Sequence, residues 1–176
     1  MNTLHVDSQR HWRGGENQAL LLTRGLRERG AAVAAVGRPG TPWADRMAAA
    51  GFDVFPNDLK PSPPALLALR GIYRRFEPDI VHCHDSGCVF PVALAATGLG
   101  RKRPKIVVSR RVDFAINTAF KYNHLCDRVI AIGRAVTDVL EQGGVAADRI
   151  RIVASGIDPA RFAHPPARAA ARAALT

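Results

Sequence analysis

Leu4-His5-Val6-Asp7, a polar connector, Gly14-Gly15-Glu16 and an amphipathic run that ends at Gly30 read in order as strand, glycine turn and helix. Such a junction leaves backbone N–H groups free at the helix N-terminus, where the helix dipole favours an anion. A phosphate suits that position. A plainer account suits it equally, in which two glycines let the chain turn sharply and pack closely. Trp12-Arg13-Gly14-Gly15-Glu16 lacks the spaced G-x-G-x-x-G of a dinucleotide fingerprint, and no G-K-[ST] follows to make a P-loop.

The alternation that begins here runs through the chain. Residues 17–29 place Ala19, Leu22 and Leu26 on one helical stripe, with Gly30 as the capping residue. Short strands over 32–36 and 52–55 flank a helix over about 42–50, where Pro42 is tolerated in the first turn. Leu66, Leu69, Tyr73 and Phe76 form the apolar face of a helix that Pro78 stops. A strand over 79–84 precedes a helix carrying Val89, Val92, Ala93 and Ala96. A strand over 105–109 leads to Arg110 through Asp113 beyond its carboxyl end, and a partly helical segment covers 114–125. A strand over 127–132, a helix with Val136, Val139 and Leu140 closed by Gly143-Gly144, and a strand over 150–153 complete the pattern. This order predicts an α/β fold: a Rossmann-like parallel sheet of about seven strands, with right-handed crossovers and helices on both faces.

In such folds ligands gather where the carboxyl ends of strands meet helix starts. The rule selects the connectors at 14–16, 84–87, 110–113 and 133–134, and with them the candidate site residues Gly14, Gly15, Glu16, His84, Asp85, Arg110, Arg111 and Arg134. Glu16 either pairs with a ligand hydroxyl or complements the helix dipole, and the second role suffices to explain it. Arg110 and Arg111 suit bidentate binding of phosphate or carboxylate, or are a solvated pair. His82 and His84 share one face of a strand next to Asp85, which invites a metal reading, but no third ligand motif appears in the sequence. A hydrogen-bonded structural role is expected for His82, and a cleft-facing one for His84. No Ser-His-Asp order or nucleophile elbow is present.

The 176 residues suit one domain with a sizeable core, and 47% apolar with 23% charged residues is ordinary for a soluble globular chain. No run reaches the ~18 apolar residues that span a bilayer, and the N-terminus lacks a basic stretch followed by an apolar segment. A cytoplasmic protein is expected. Three cysteines, Cys83, Cys88 and Cys126, with no C-x-x-C, argue against a disulfide framework and a structural zinc site, and suggest buried or inert thiols. The net charge of +10 is compatible with nucleic acid, an anionic membrane or acidic substrates. Apart from Arg101-Lys102-Arg103 and Arg110-Arg111 the arginines are scattered, so a solvated basic face is the simpler account and nucleic acid is not the expected partner.

Gly14-Gly15-Glu16 after the first strand, Pro78-Asp79-Ile80-Val81-His82-Cys83-His84, Ala131-Ile132 before a helix, and Ser155-Gly156-Ile157-Asp158-Pro159-Ala160-Arg161-Phe162 together resemble the amino-terminal half of family-four retaining glycosyltransferases of the GT-B fold. Ser109-Arg110-Arg111-Val112-Asp113-Phe114 further resembles members that build lipopolysaccharide and other envelope glycans. The resemblance implies one of two Rossmann-like domains that face across a cleft: the first carries most of the acceptor site and lends its glycine loop to the donor's phosphates, and the second holds the nucleotide sugar. Gly14 and Gly15 match that loop, and His84 and Asp85 match the cleft rim. Where many members have a histidine after the fifth strand, this sequence has Arg110 and Arg111.

On this resemblance residues 1–158 are a Rossmann-like acceptor-side domain, and 159–176 are an interdomain linker and the start of a missing second domain that carries a Glu-x7-Glu pair. The chain then looks like a truncated or split transferase. It is expected to be inactive alone, to use a nucleotide sugar with no cofactor and no bound metal, and to act on an envelope glycan or lipid-linked acceptor. A second chain supplying the carboxyl-terminal domain, and peripheral contact with the inner face of an anionic membrane, are further implied partners. The alternative, from another class, is a non-catalytic Rossmann-like module that holds an anionic partner on its basic surface.

Overall fold

The computed structural model describes residues 1–158 together with residues 163 and 172. The expected linker and second-domain start at 159–176, with the Pro159-Ala160-Arg161-Phe162 part of the family motif, lies outside the described residues apart from those two positions.

Seven strands, β1 (Asn2–Asp7), β2 (Ala32–Gly37), β3 (Asp53–Pro56), β4 (Ile80–Cys83), β5 (Lys105–Arg110), β6 (Arg128–Ala131) and β7 (Ile150–Ile152), form one sheet in the order β3-β2-β1-β4-β5-β6-β7. Every pairing is parallel. Five helices link them: α1 (Gly14–Glu28), α2 (Pro42–Ala49), α3 (Pro63–Phe76), α4 (Val89–Ala96) and α5 (Arg134–Gln142). The segment after β5 holds a single π turn, Lys121–Leu125. Among the described residues no helix is long and apolar enough to cross a membrane.

Alternate residues of each strand face opposite ways, and the two faces are packed differently. Leu4, Val6, Val36, Val81, Val108 and Val129 join side chains of α3, α4 and α5 in the larger core. On the opposite face Ala35 packs with Ala19 and Leu20 of α1 and with Trp43 and Met47 of α2. All three cysteines are free and buried in the larger core. Burial pushes the Cys88 and Cys126 thiols up, away from the reactive thiolate.

Local chemistry sets the helix ends. The Glu16 carboxylate accepts a hydrogen bond from the Arg13 N–H at 2.6 Å, which satisfies a donor at the mouth of α1. At the other end Gly30 takes φ +81°, and the Gly30 and Ala31 N–H groups bond back to Arg27 and Leu26. Thr41 caps α2 ahead of Pro42, while α3 starts at Pro63 and stops where Glu77 turns left-handed before Pro78.

Two details differ from the sequence pattern. The buried stripe of α1 is Glu16, Ala19, Leu20 and Thr23, and Leu22 is exposed. The glycine turn starts the helix three residues earlier than the apolar run suggests, and the added turn puts Glu16 on the buried face. Arg110 is the last residue of β5, paired with Ala131, and does not lie beyond the strand.

Candidate functional site

The chain leaves β1 toward β2 and β3, then returns to place β4 on the other flank of β1. The connections after β1 and β4 therefore diverge, and the crevice between them is the switch point where doubly wound folds bind ligands. Asp7 ends β1 on one side of it, and His84 and Asp85 follow β4 on the other.

Gly14 and Gly15 open α1 at this crevice. A Cβ placed on Gly15 would lie 3.8 Å from Cδ of Arg111, so the stem of the arginine passes beside Gly15. Arg111 Nη1 donates to the His84 carbonyl at 3.4 Å, which holds the side chain across the gap from β5 to β4. Burial lowers its pKa, while the carboxylates of Asp7 and Glu16 favour its charge. The N-terminus of α1 and the side chain of Arg111 thus share one rim of the crevice.

The neighbouring arginine is spent elsewhere. Arg110 donates to the Tyr122 hydroxyl at 3.3 Å and to the Phe114 carbonyl, pinning the irregular segment after β5. Arg134 is exposed at the first turn of α5, beyond β6. Of the sequence candidates the crevice gathers Gly14, Gly15, Glu16, His84, Asp85 and Arg111, whereas Arg110 serves the adjoining loop.

Asp85 acts as a clamp between the two connections. It accepts from the Ser8 N–H and the Ser8 hydroxyl, each at 2.7 Å, and from the Gly87 N–H at 2.7 Å. Trp12, in the same connector as Ser8, lies under the Arg46 guanidinium of α2 at 4.3 Å. The glycine turn is thereby held from both sides.

Asp7 is a site residue that sequence reading missed. It is 1% exposed, its Oδ1 accepts from the Gln9 N–H at 2.8 Å, and its Oδ2 is buried with no hydrogen-bond partner among the described residues. Burial, with Asp85 and Glu16 nearby, raises its pKa to about 7, against the Gln9 N–H and Arg111, which lower it.

The histidines also differ from expectation. Parallel register sets His5 directly beside His82, and His84 follows two residues on, just past the end of β4. The ring of His84 turns inward: its Nε2 lies 2.9 Å from Nδ1 of His5, and His82 Nε2 lies 2.7 Å from the Ser109 hydroxyl. His82 has the hydrogen-bonded role the sequence suggested, while His84 presents only its backbone to Arg111. Burial holds all three imidazoles neutral, with His5 lowered to about 3. His5 and Asp7 had one visible signal, since buried parallel strands are near-continuously apolar and these two polar residues interrupt β1 at alternate positions.

A groove of about 930 Å³ runs from Arg111, His82 and Ser109 along α1 past Gln18 to Ser155, Gly156 and Asp158. Gln18 closes its far end by a pair of hydrogen bonds with the Gly156 backbone, at 2.8 and 2.9 Å. A second cavity, about 850 Å³, is lined by Asn2, Asp79, Arg101 and Lys105. It lies at the amino ends of the strands, away from the edge that a parallel sheet uses for ligands.

Among curated proteins none matches the chain. Among solved structures it superimposes on HepE from Anabaena, crystallised with UDP-glucose, with a TM-score of 0.77 at 15% identity, covering 99% of this chain and 50% of that one. A glycosyltransferase from Rickettsia africae matches with a TM-score of 0.76 at 18% identity, over 99% and 48% of the two chains. The lipopolysaccharide outer core galactosyltransferase WaaB matches with 0.65 at 14% identity, over 90% and 46%. The chain thus spans about half the length of these structures and has the fold of one half of a GT-B enzyme. The sequence model of Glycosyltransferase Family 4 matches residues 12–161, from the glycine turn through the Gly156-Ile157-Asp158 stretch, and the chain belongs to that family.

Proposed function

We propose that this chain is the amino-terminal, acceptor-side half of a retaining glycosyltransferase, which in the complete enzyme moves a sugar from a nucleotide sugar to an envelope glycan or lipid-linked acceptor. The observation that carries the reading is the seat of Arg111 beside Gly15 at the switch point. Leaving phosphate charge develops as the glycosidic bond to the nucleotide breaks, and donors already placed there stabilise it without reorganising. The Gly15 N–H and the α1 dipole supply one such donor, and the Arg111 guanidinium supplies the second. HepE was crystallised with UDP and with UDP-glucose, which supports a nucleotide sugar as the donor class. No metal is assigned to the transfer step, because these two groups supply the positive field there.

On this reading transfer needs a second domain. Positioning donor and acceptor together is worth ~7–11 kcal/mol of barrier, and one wall of a cleft cannot supply it. The reading places the protein in the cytoplasm, held peripherally at the anionic inner leaflet by its charge of +10. Incubation with labelled nucleotide sugars and envelope acceptors, with and without a separately produced family-four carboxyl-terminal domain, tests it. Turnover only in the mixture is expected, and robust turnover by the chain alone overturns the half-enzyme reading. The alternative of a basic binding module predicts instead nucleic-acid affinity that falls steeply with salt.

A further inference from the structure

We propose that His5, His82 and His84 form a site for one divalent transition-metal ion of the zinc class, bound by imidazole nitrogen. One ring nitrogen from each residue lies within 4.8 Å of the others. The convergence starts from the backbone: β1 and β4 pair with His5 opposite His82, and His84, one residue past β4 with its N–H still bonded to the Val6 carbonyl, turns its ring to His5. Zn–N bonds of ~2.0–2.1 Å set the nitrogens of a tetrahedral site ~3.4 Å apart, so the rings reach one ion by closing their separations by up to ~1.4 Å.

Two further observations fit ligation, while the 2.9 Å contact between His5 Nδ1 and His84 Nε2 is given up as those rings turn to the ion. His5 Nε2 and His84 Nδ1 are buried and lack hydrogen-bond partners among the described residues, an expensive state for groups that each need one. Ser109 fixes the ring of His82 through its 2.7 Å contact, the kind of outer bond that orients a metal-binding imidazole. A set of three neutral nitrogens with no oxygen ligand suits zinc, cobalt, nickel or copper and not magnesium or calcium. Arg111 opposes a cation here, and the carboxylates of Asp7 and Glu16, which face the same arginine, offset it. The groove that reaches His82 and Ser109 gives the ion a path from solvent. Bound there, the ion joins β1 to β4 just beneath Asp7 and the glycine turn. It stands apart from the transfer chemistry proposed above and does not depend on it.

The test uses the whole chain, stripped with chelator and titrated with Co²⁺ and then Zn²⁺. Expected are a visible cobalt absorption band saturating at about one equivalent, a melting temperature that rises with Zn²⁺, and affinity at least ~10-fold weaker in His82→Gln and His84→Gln. His11→Gln and His124→Gln, both at exposed positions, should bind as the wild type does. Should a triad variant fail to fold, ring-nitrogen NMR of the wild type decides, since Zn²⁺ must shift His5, His82 and His84 together. Absence of saturable binding, or shifts confined to the exposed histidines, overturns the proposal and leaves the reading of sugar transfer untouched.

Discussion

Ser8 gives both its N–H and its hydroxyl to the carboxylate of Asp85, two bonds of 2.7 Å between residues 77 positions apart. They join the connection leaving β1 to the one leaving β4, which otherwise diverge. Asp85→Ala removes both, together with the bond to Gly87, and leaves backbone donors unsatisfied at the rim. A loss of about 1–3 kcal/mol in urea unfolding is expected, with faster amide exchange at Ser8 and Gly87. Unchanged exchange at both residues would mean that the clamp is not needed.

Gly15 has an ordinary backbone angle, and the nearest atom to an added Cβ is 3.8 Å away, so larger residues there should fold. They would still fill the space above the α1 N-terminus. Gly15→Val should therefore leave the melting temperature within a few degrees of wild type while transfer by a completed enzyme falls ~10²–10³-fold. Normal transfer by this variant would reduce the glycine pair to a turn.

The two arginines after the β5 core should separate cleanly. Arg111 is a half-buried cation with no hydrogen-bonded carboxylate among the described residues, so Arg111→Met is expected to be neutral or stabilising toward urea while weakening donor use. Arg110→Met should do the reverse, loosening the segment held by Tyr122 and Phe114 with little effect on the donor. Equal kinetic defects in the two would contradict the assignment.

Acid should weaken the fold in part through Asp127. Burial alone would raise its pKa, but the Ile106 N–H and the side chains of Arg103 and Lys105 outweigh that and hold it below its usual value of 3.8. A group depressed in the folded state contributes stability above its unfolded pKa and loses it as pH falls through the folded one. Asp127→Asn should accordingly be less stable than wild type at pH 7, and the gap between the two unfolding curves should narrow as pH falls below 3.8. A gap that does not narrow would locate the defect in packing instead.

Gly37 ends β2 where a Cβ would sit 2.6 Å from the Trp43 ring, itself 1% exposed and bonded through Nε1 to the Val36 carbonyl. The ring has no room to retreat. Gly37→Ala should cost about 1–3 kcal/mol and alter tryptophan fluorescence, and a silent substitution would show that the α2 face is loosely packed.

The sheet was legible because each strand carries its own local signal: apolar runs such as Val81 and Val108 between turn residues occur in order, and the glycines and prolines punctuate them. The inner face of α1 was not, since the polar Glu16 and Thr23 are buried there while the apolar Leu22 is exposed, against the pattern an apolar stripe follows. The site was half legible. Gly15 and Arg111 follow from the rule about strand ends, but the division of labour between Arg110 and Arg111 depends on a strand continuing one residue further. His5 and Asp7 escaped because their meaning comes from β4, whose residues lie more than seventy positions away and whose register no local pattern encodes.

The burial of Cys83, Cys88 and Cys126 gives the chain a practical property. A surface thiol introduced by Arg134→Cys would be the sole group open to a maleimide dye, with no need to delete native residues. Such a label, placed on the rim beyond β6, would report by fluorescence anisotropy when a separately made second domain closes over the cleft.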